Sequence, residues 1–225
     1  MNKGFLYSIK KILRGPGKTA REFVEGNRVN HYKPILLVFV VAGISAFLTN
    51  TLIHPEEVMQ RYYETQGTEV PKFMHLLMHI MLKYQAILML LSVPFMAFFT
   101  WIAFRKWGYN YYENIVITAY SLVCLQVLTT LIVTPLQFFL KGNLDLFMKV
   151  PTTISYLLMF GIFPWFYLDL YNTKNAGEVI MRLFLLAVIC FAVFMLLCIV
   201  AGVIFGMYMV KNNIDPNTFM GIKPI

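Results

Sequence analysis

The sequence predicts an all-α fold: a polytopic transmembrane bundle of about five spans, preceded by one or two N-terminal amphipathic surface helices. Three observations predict it. Apolar residues make up 59% of the 225-residue chain and charged ones only 13%, too little polar surface for a water-soluble domain of this size. The apolar residues fall in runs of roughly 20, the length that crosses about 30 Å of hydrocarbon as a helix. The lysines and arginines, which give a net charge of +8, cluster beside those runs and not along a soluble face, so anionic lipid is the expected partner and nucleic acid is not.

The chain opens with Phe5, Leu6, Ile9, Ile12 and Leu13 at helical spacing, while Lys3, Lys10, Lys11 and Arg14 fill much of the remaining circumference. That is the pattern of a basic helix lying in a membrane interface. Gly15-Pro16-Gly17 ends it, Thr19 and Glu22 have capping-box spacing for a second short helix, and Gly26 can stop that one. Both helices are expected on the cytoplasmic leaflet, with Lys3, Lys10, Lys11, Arg14, Lys18, Arg21 and Arg28 against anionic headgroups. The same charges would fix orientation during insertion even if they bound nothing afterwards. Lysines interrupt the apolar residues here and no continuous h-region precedes a cleavage site, so the first span is expected to serve as the insertion signal.

The first span is expected at Pro34–Ile53. The second is expected at Tyr84–Phe104, after a semi-apolar lead-in from Phe73 to Met81, with Arg105 and Lys106 closing it. The third covers Ile115–Phe139, where Pro135 predicts a kink or an early end. The fourth, Thr152–Leu170, carries Gly161 and Pro164 near its middle and Trp165, Tyr167 and Tyr171 towards its end, as a bent, interface-anchored helix would. The fifth, Leu183–Val210, is the longest run and must tilt or project. Cys124, Cys190 and Cys198 lie inside these runs without a C-x-x-C pair and read as reduced packing residues. The chain thus divides into a basic amphipathic segment (1–33), a transmembrane bundle (34–210) and a short tail (211–225), with one long loop, His54–Lys83, on the outer side.

The stretch Arg14 to Ile35, RGPGKTAREFVEGNRVNHYKPI, resembles the opening of the bacterial membrane family called domain of unknown function 3667. A Pro-Gly turn, a helix, a Gly-x-Arg and an aromatic-x-Pro lead into the first span, here as Pro16, Gly17, Gly26, Arg28, Tyr32 and Pro34. Asn110 to Leu128 also looks like that family and, loosely, like Yip1-type membrane domains. The resemblance implies a multi-pass protein of the bacterial cytoplasmic (inner) membrane whose activity is not established. Many members begin with a cysteine-rich zinc ribbon; no cysteine precedes Cys124 here, so no metal role carries over.

Candidate sites are few. His75 and His79 stand four residues apart on one helix face, as two metal ligands would, with Met74, Met78 and Met81 as soft additions and His54 or a loop glutamate as a third ligand; an interfacial helix that packs its methionines explains the same residues. Glu113 can meet the dipole of the third helix, whereas Asp169, near a helix C-terminus, requires a cation or donor, for which Arg182 or Arg105 is the expectation. With Gln126, near mid-span, these two could line a polar cavity open to the cytoplasmic side. No G-x-S-x-G, H-E-x-x-H, Walker A or G-x-G-x-x-G occurs, and no cofactor is expected. The expected function is therefore non-enzymatic: a scaffold or accessory factor binding lipid or a partner membrane protein. The alternative is a small-molecule permease or channel, which the lack of a mid-span Asp, Glu, Lys or Arg disfavours.

Orientation follows from the positive residues. With the N-terminus inside, Lys3, Lys10, Lys11, Arg14, Lys18, Arg21, Arg28, Lys33, Arg105, Lys106, Lys174 and Arg182 face the cytoplasm; Arg61, Lys72, Lys83, Lys141, Lys149, Lys211 and Lys223 lie outside, a bias of 12 to 7. A reporter active only in the cytoplasm, fused after Ile225, should stay silent; strong activity there would mean an even number of spans.

Overall fold

A computed structural model of the chain describes residues 4–28, 31–68 and 70–211. Among them the chain forms nine α-helices and no strand: α1 (Gly4–Arg14), α2 (Pro16–Val24), α3 (Pro34–Leu52), α4 (Pro55–Thr65), α5 (Lys72–Lys83), α6 (Gln85–Phe104), α7 (Tyr111–Leu140), α8 (Leu144–Leu170) and α9 (Ala176–Lys211). Helices α3, α6, α7, α8 and α9 are long and apolar enough to cross a membrane. The chain is a polytopic transmembrane bundle.

Local chemistry sets the helix starts. Proline opens α2, α3 and α4 (Pro16, Pro34 and Pro55), where its missing N–H costs no helical hydrogen bond. Asn110 caps α7 in a full capping box: its side chain accepts from the Glu113 N–H at 2.9 Å, and the Glu113 carboxylate accepts from the Asn110 N–H at 2.7 Å. Asn143 accepts from the Leu146 N–H to start α8.

Several helices run beyond the spans expected from hydropathy. α8 begins at Leu144 and not Thr152, and α9 at Ala176 and not Leu183. The added turns carry Asp145 and Lys149, or Glu178 and Arg182, so they break the apolar run without breaking the helix. Pro135 neither ends α7 nor shortens it, since the helix continues to Leu140; in hydrocarbon an interrupted backbone has no water to turn to. The long loop His54–Lys83 is also more ordered than expected. It contains α4 and α5, entered through His54 in the left-handed region (φ 52), and Val58 packs with Ile53 and Phe147 against that end of the bundle.

α7 is the central helix, touching α1, α2, α3, α6 and α8. Its Ile117, Tyr120, Val123 and Cys124 are fully buried. α9 lies at the edge against α6 and α8, and leaves Phe184 70% and Ile204 63% exposed; large apolar side chains facing outward are what a bilayer solvent selects.

The two N-terminal helices differ in what covers them. α1 keeps Leu6 outward, while α2 packs its apolar side on α7 and α8, burying Pro16, Gly17, Thr19 and Ala20. The protein interior, and not lipid, covers that side of α2. The contact depends on Gly17, where a Cβ would lie 2.2 Å from the Leu170 nitrogen and 2.3 Å from the Phe166 oxygen. Both obstacles are backbone of α8 and cannot swing away. Gly17→Ala should therefore lower the thermal midpoint of the purified chain, by an overpacking cost of about 1–3 kcal/mol or more. Gly43→Ala in α3, where a Cβ meets nothing within 4 Å, serves as the control and should leave the midpoint unchanged or raised.

Candidate functional site at the N-terminal face

α1 and α2 fold back on one another at Gly15. The Thr19 hydroxyl lies within reach of the Gly15 carbonyl at 2.7 Å and the Lys11 carbonyl at 3.2 Å. Thr19 thus sits inside α2, tying the two helices, instead of forming the capping box that its spacing with Glu22 implies. Gly26, with φ +112, follows the end of α2 as expected. The link to the first span is fixed from both sides: the Tyr32 N–H donates to the Ser8 hydroxyl at 2.9 Å, and the Tyr120 hydroxyl donates to the Tyr32 carbonyl at 3.3 Å.

Three polar contacts, each spanning about 150 residues of sequence, lock this hairpin to the end of α8 and the residues just after it. Asp169 accepts the Lys18 N–H at 2.8 Å. That amide is among the first of α2, so a carboxylate stranded at the unfavourable end of α8 becomes a favourable charge at the start of α2. Asp169 therefore finds its donor here and not in the expected arginines: Arg182 lies 4.4 Å from the Trp107 ring centre and donates to the Ala103 carbonyl at 2.6 Å, and Arg105 lies over Trp101. Arg21 donates to the Leu170 carbonyl at 2.9 Å and to the Asn172 side chain at 2.6 Å.

Beside this lock lies a partly exposed ionic cluster. Lys11 pairs with Glu22, and Glu22 also stands 3.4 Å from Nε2 of His31, whose side chain is fully buried. Neither His31 nitrogen makes a hydrogen bond of good geometry. Burial, assisted by the Lys11 charge, holds His31 below its ordinary value of 6.5 despite the nearby carboxylate. Burial acts to raise the Glu22 carboxyl, but the hydrogen bond and charge of Lys11 outweigh it and hold Glu22 below 4.5. On the open side, Tyr7, Lys10, Lys11, Arg14, Gly15, Lys18, Thr19 and Glu22 line a cavity of about 430 Å³.

The seven basic residues expected to meet lipid thus separate. Lys3 lies outside the described residues. Lys11 and Arg21 are committed within the protein, and Arg28 lies 6.0 Å from the Phe23 ring centre. Lys10, Arg14 and Lys18 have no carboxylate partner for their side chains among the described residues and border the cavity.

Glu113, Gln126 and Asp169 each have a separate partner. Glu113 closes the α7 capping box; Asp169 caps α2; Gln126 lies 13 residues beyond Glu113 on α7, about 20 Å along the axis at 1.5 Å per residue. There its amide donates to the Ser45 hydroxyl at 2.6 Å and to the Thr130 hydroxyl at 3.3 Å. His79 on α5 is 3.2 Å from Glu56, and His75 lines a separate cavity with Glu56, Glu57 and Glu64. Among the described residues no three His, Cys, Asp or Glu side chains converge as a metal site requires. His31 and Ser8 were not identified from the sequence. Their partners lie on other helices, and a single histidine before an aromatic carries no spacing signal.

Residues 2–46 match the family model described as Protein of unknown function (DUF3667), bearing out the resemblance read from Arg14 to Ile35. The matched residues contain α1, α2 and most of α3, the elements that build this face. No curated protein and no solved structure matches the chain.

The ionic cluster makes stability depend on pH in a stated direction. Because folded His31 binds its proton less readily than the unfolded chain does, its contribution is present above 6.5 and drains away as pH falls towards the lowered folded value. Glu22 adds a second loss only below 4.5, as its depressed carboxyl protonates. The thermal midpoint in neutral detergent should fall between about pH 7 and pH 5, and His31→Gln should flatten that slope while leaving the steeper drop at lower pH. An unchanged slope in the variant would show that His31 does not control it.

Proposed function

From the match of residues 2–46 to the DUF3667 family model and the geometry of this face, we propose that the chain is a non-enzymatic membrane scaffold or accessory factor whose N-terminal face engages anionic lipid. In this reading the face lies on the cytoplasmic side of a bacterial inner membrane. The observation that carries the proposal is the division of labour among the basic residues. Lys11 and Arg21 hold the α1–α2 hairpin in place, which leaves Lys10, Arg14 and Lys18 exposed on a fixed support where they line one cavity. Cations on a rigid frame lose less conformational freedom on meeting an anionic surface than cations on a free peptide, and each contributes on the order of 1 kcal/mol near anionic lipid before screening. Leu6, 78% exposed on the same helix, supplies an apolar side chain for the interface.

The alternative, a small-molecule permease, requires polar groups available to a solute near mid-membrane. Several inner polar groups here are engaged with each other, Gln126 with Ser45 and Thr130, and Thr100 with Thr118 at 3.2 Å, while the buried Tyr167 hydroxyl makes no hydrogen bond of good geometry. Such pairs join helices, which favours the scaffold reading.

The test compares the full chain in nanodiscs of neutral phosphatidylcholine with nanodiscs containing phosphatidylglycerol. The thermal midpoint should be higher with the anionic lipid, and the difference should shrink as salt is raised. Equal midpoints at low salt would overturn the lipid reading; solute uptake by reconstituted vesicles would favour the permease.

A further inference from the structure

We propose that the cavity between α1 and α2 is a binding site for a doubly charged phosphate group, a phosphomonoester carried on a lipid headgroup or on a small soluble molecule. The proposal deepens the anionic-lipid reading by naming the chemistry of one pocket on the same face.

Charge is the first argument. Lys10, Lys11, Arg14 and Lys18 converge on one concave space, and the only carboxylate lining it, Glu22, is already paired with Lys11. Three cations remain without a carboxylate ion pair among the described residues, and like charges lining one cavity repel unless an anion lies between them. A phosphodiester such as phosphatidylglycerol brings one negative charge. A phosphomonoester brings about 1.5 to 2 at pH 7, with three strong acceptor oxygens, and matches three converging cations better.

Construction is the second. Thr19 bridges the two helices, Gly15 forms the corner, and Gly17 together with Asp169 and Arg21 holds α2 against α8. The walls are therefore set before any ligand arrives, which reduces the ordering cost of binding. The start of α2, otherwise a natural anion site, is closed by the Asp169 carboxylate. An incoming anion is thereby directed to the side chains of the cavity. Its volume of about 430 Å³ falls in the range of small-molecule sites, about 300–1,000 Å³, leaving room for headgroup atoms beyond the phosphate.

Glu22 gives the site a distinctive property. It already satisfies Lys11 from within, so it competes with an arriving phosphate for that cation. Neutralising Glu22 should tighten phosphate binding, whereas neutralising Lys10 and Lys18 should weaken it.

The experiment uses the full chain in phosphatidylcholine nanodiscs and reads the thermal midpoint with three probes: phosphatidic acid, phosphatidylglycerol at the same mole fraction, and inorganic phosphate against chloride at matched ionic strength. Phosphatidic acid should raise the midpoint above the phosphatidylglycerol value, by about 5 °C at saturation. Lys10→Gln/Lys18→Gln should abolish that difference, and Glu22→Gln should enlarge it, each compared with its own ligand-free midpoint so that changes in folding cancel. Arg14→Gln provides a second loss-of-binding variant. A shift with phosphatidic acid alone supports the site with a lipid as its source; a shift with inorganic phosphate beyond chloride supports it with a soluble source. Equal effects of the two lipids, with phosphate no better than chloride, overturn the site, as does a double variant that keeps the full difference. If phosphatidylglycerol exceeds phosphatidylcholine but equals phosphatidic acid, and phosphate is no better than chloride, the lipid reading stands and the pocket falls. If phosphate acts while phosphatidylglycerol matches phosphatidylcholine, the pocket stands and the broader lipid reading falls.

Discussion

The approach of α2 to the last turn of α8 at Gly17 is the contact on which the N-terminal face depends. With no side chain there, the backbone of α2 comes close enough to α8 for the Lys18 amide to reach Asp169 and for Arg21 to reach the Leu170 carbonyl. Each of these contacts addresses a helix end that would otherwise be unsatisfied: an early N–H of α2, a late carbonyl of α8, and a carboxylate poorly placed against the α8 dipole. One glycine therefore converts two costs at helix termini into one joint. It also fixes where α1 lies, because Thr19 and Ser8 carry the position of α2 on to the first helix and to the entrance of α3.

Below that face the bilayer imposes a different constraint. Apolar contact with lipid is no worse than apolar contact with protein, so burial alone does not hold the spans together; close packing and shared hydrogen bonds must do so. α7 is where both occur. Its Tyr120 reaches the carbonyl of Tyr32, Thr118 meets Thr100 of α6, and Gln126 meets Ser45 of α3. α9, joined to α6 near its start by Arg182 and the Ala103 carbonyl, lies at the periphery with most of its apolar surface outward. At the α6 and α8 ends near the N-terminal face, Phe104 stacks against both Tyr167 at 4.9 Å and Tyr171 at 5.1 Å, and this aromatic layer joins the spans where the hydrocarbon gives way to polar surroundings.

These features were legible in the sequence to different depths. The five spans could be read directly, because each must be apolar for about 20 residues whatever it packs against. Helix ends were less visible: the first turns of α8 and α9 carry charges and drop out of a hydropathy reading while remaining helical. Gly17 could be read as part of a turn and Glu113 as a favourable charge at a helix start, since both signals are local. The closeness of Gly17 to α8 could not, nor could the partner of Asp169, since 151 residues separate Asp169 from Lys18 and only the tertiary fold brings them together. For the same reason Arg21 reads as a surface cation in the amphipathic pattern, although its guanidinium is held at the end of α8 by the Leu170 carbonyl and Asn172.

That last distinction bears on how a basic segment should be interpreted. Counting positive residues treats them as equivalent, which suffices for orientation during insertion, when the helices have not yet packed. After folding they are not equivalent. Lys11 is paired with Glu22, and Arg21 is anchored through Nη1 to two neutral acceptors, which fix its position against the protein while leaving its charge. Lys10, Arg14 and Lys18 keep theirs, and the hairpin gathers them around one concavity instead of spreading them over a flat surface. A flat distribution would respond to average surface charge density; a concave one responds to how much charge a single group can bring into it. The hairpin's packing against α7 and α8 thus shapes the electrostatic character of the face, and the residues that bury α2 are as much a part of that character as the cations it displays.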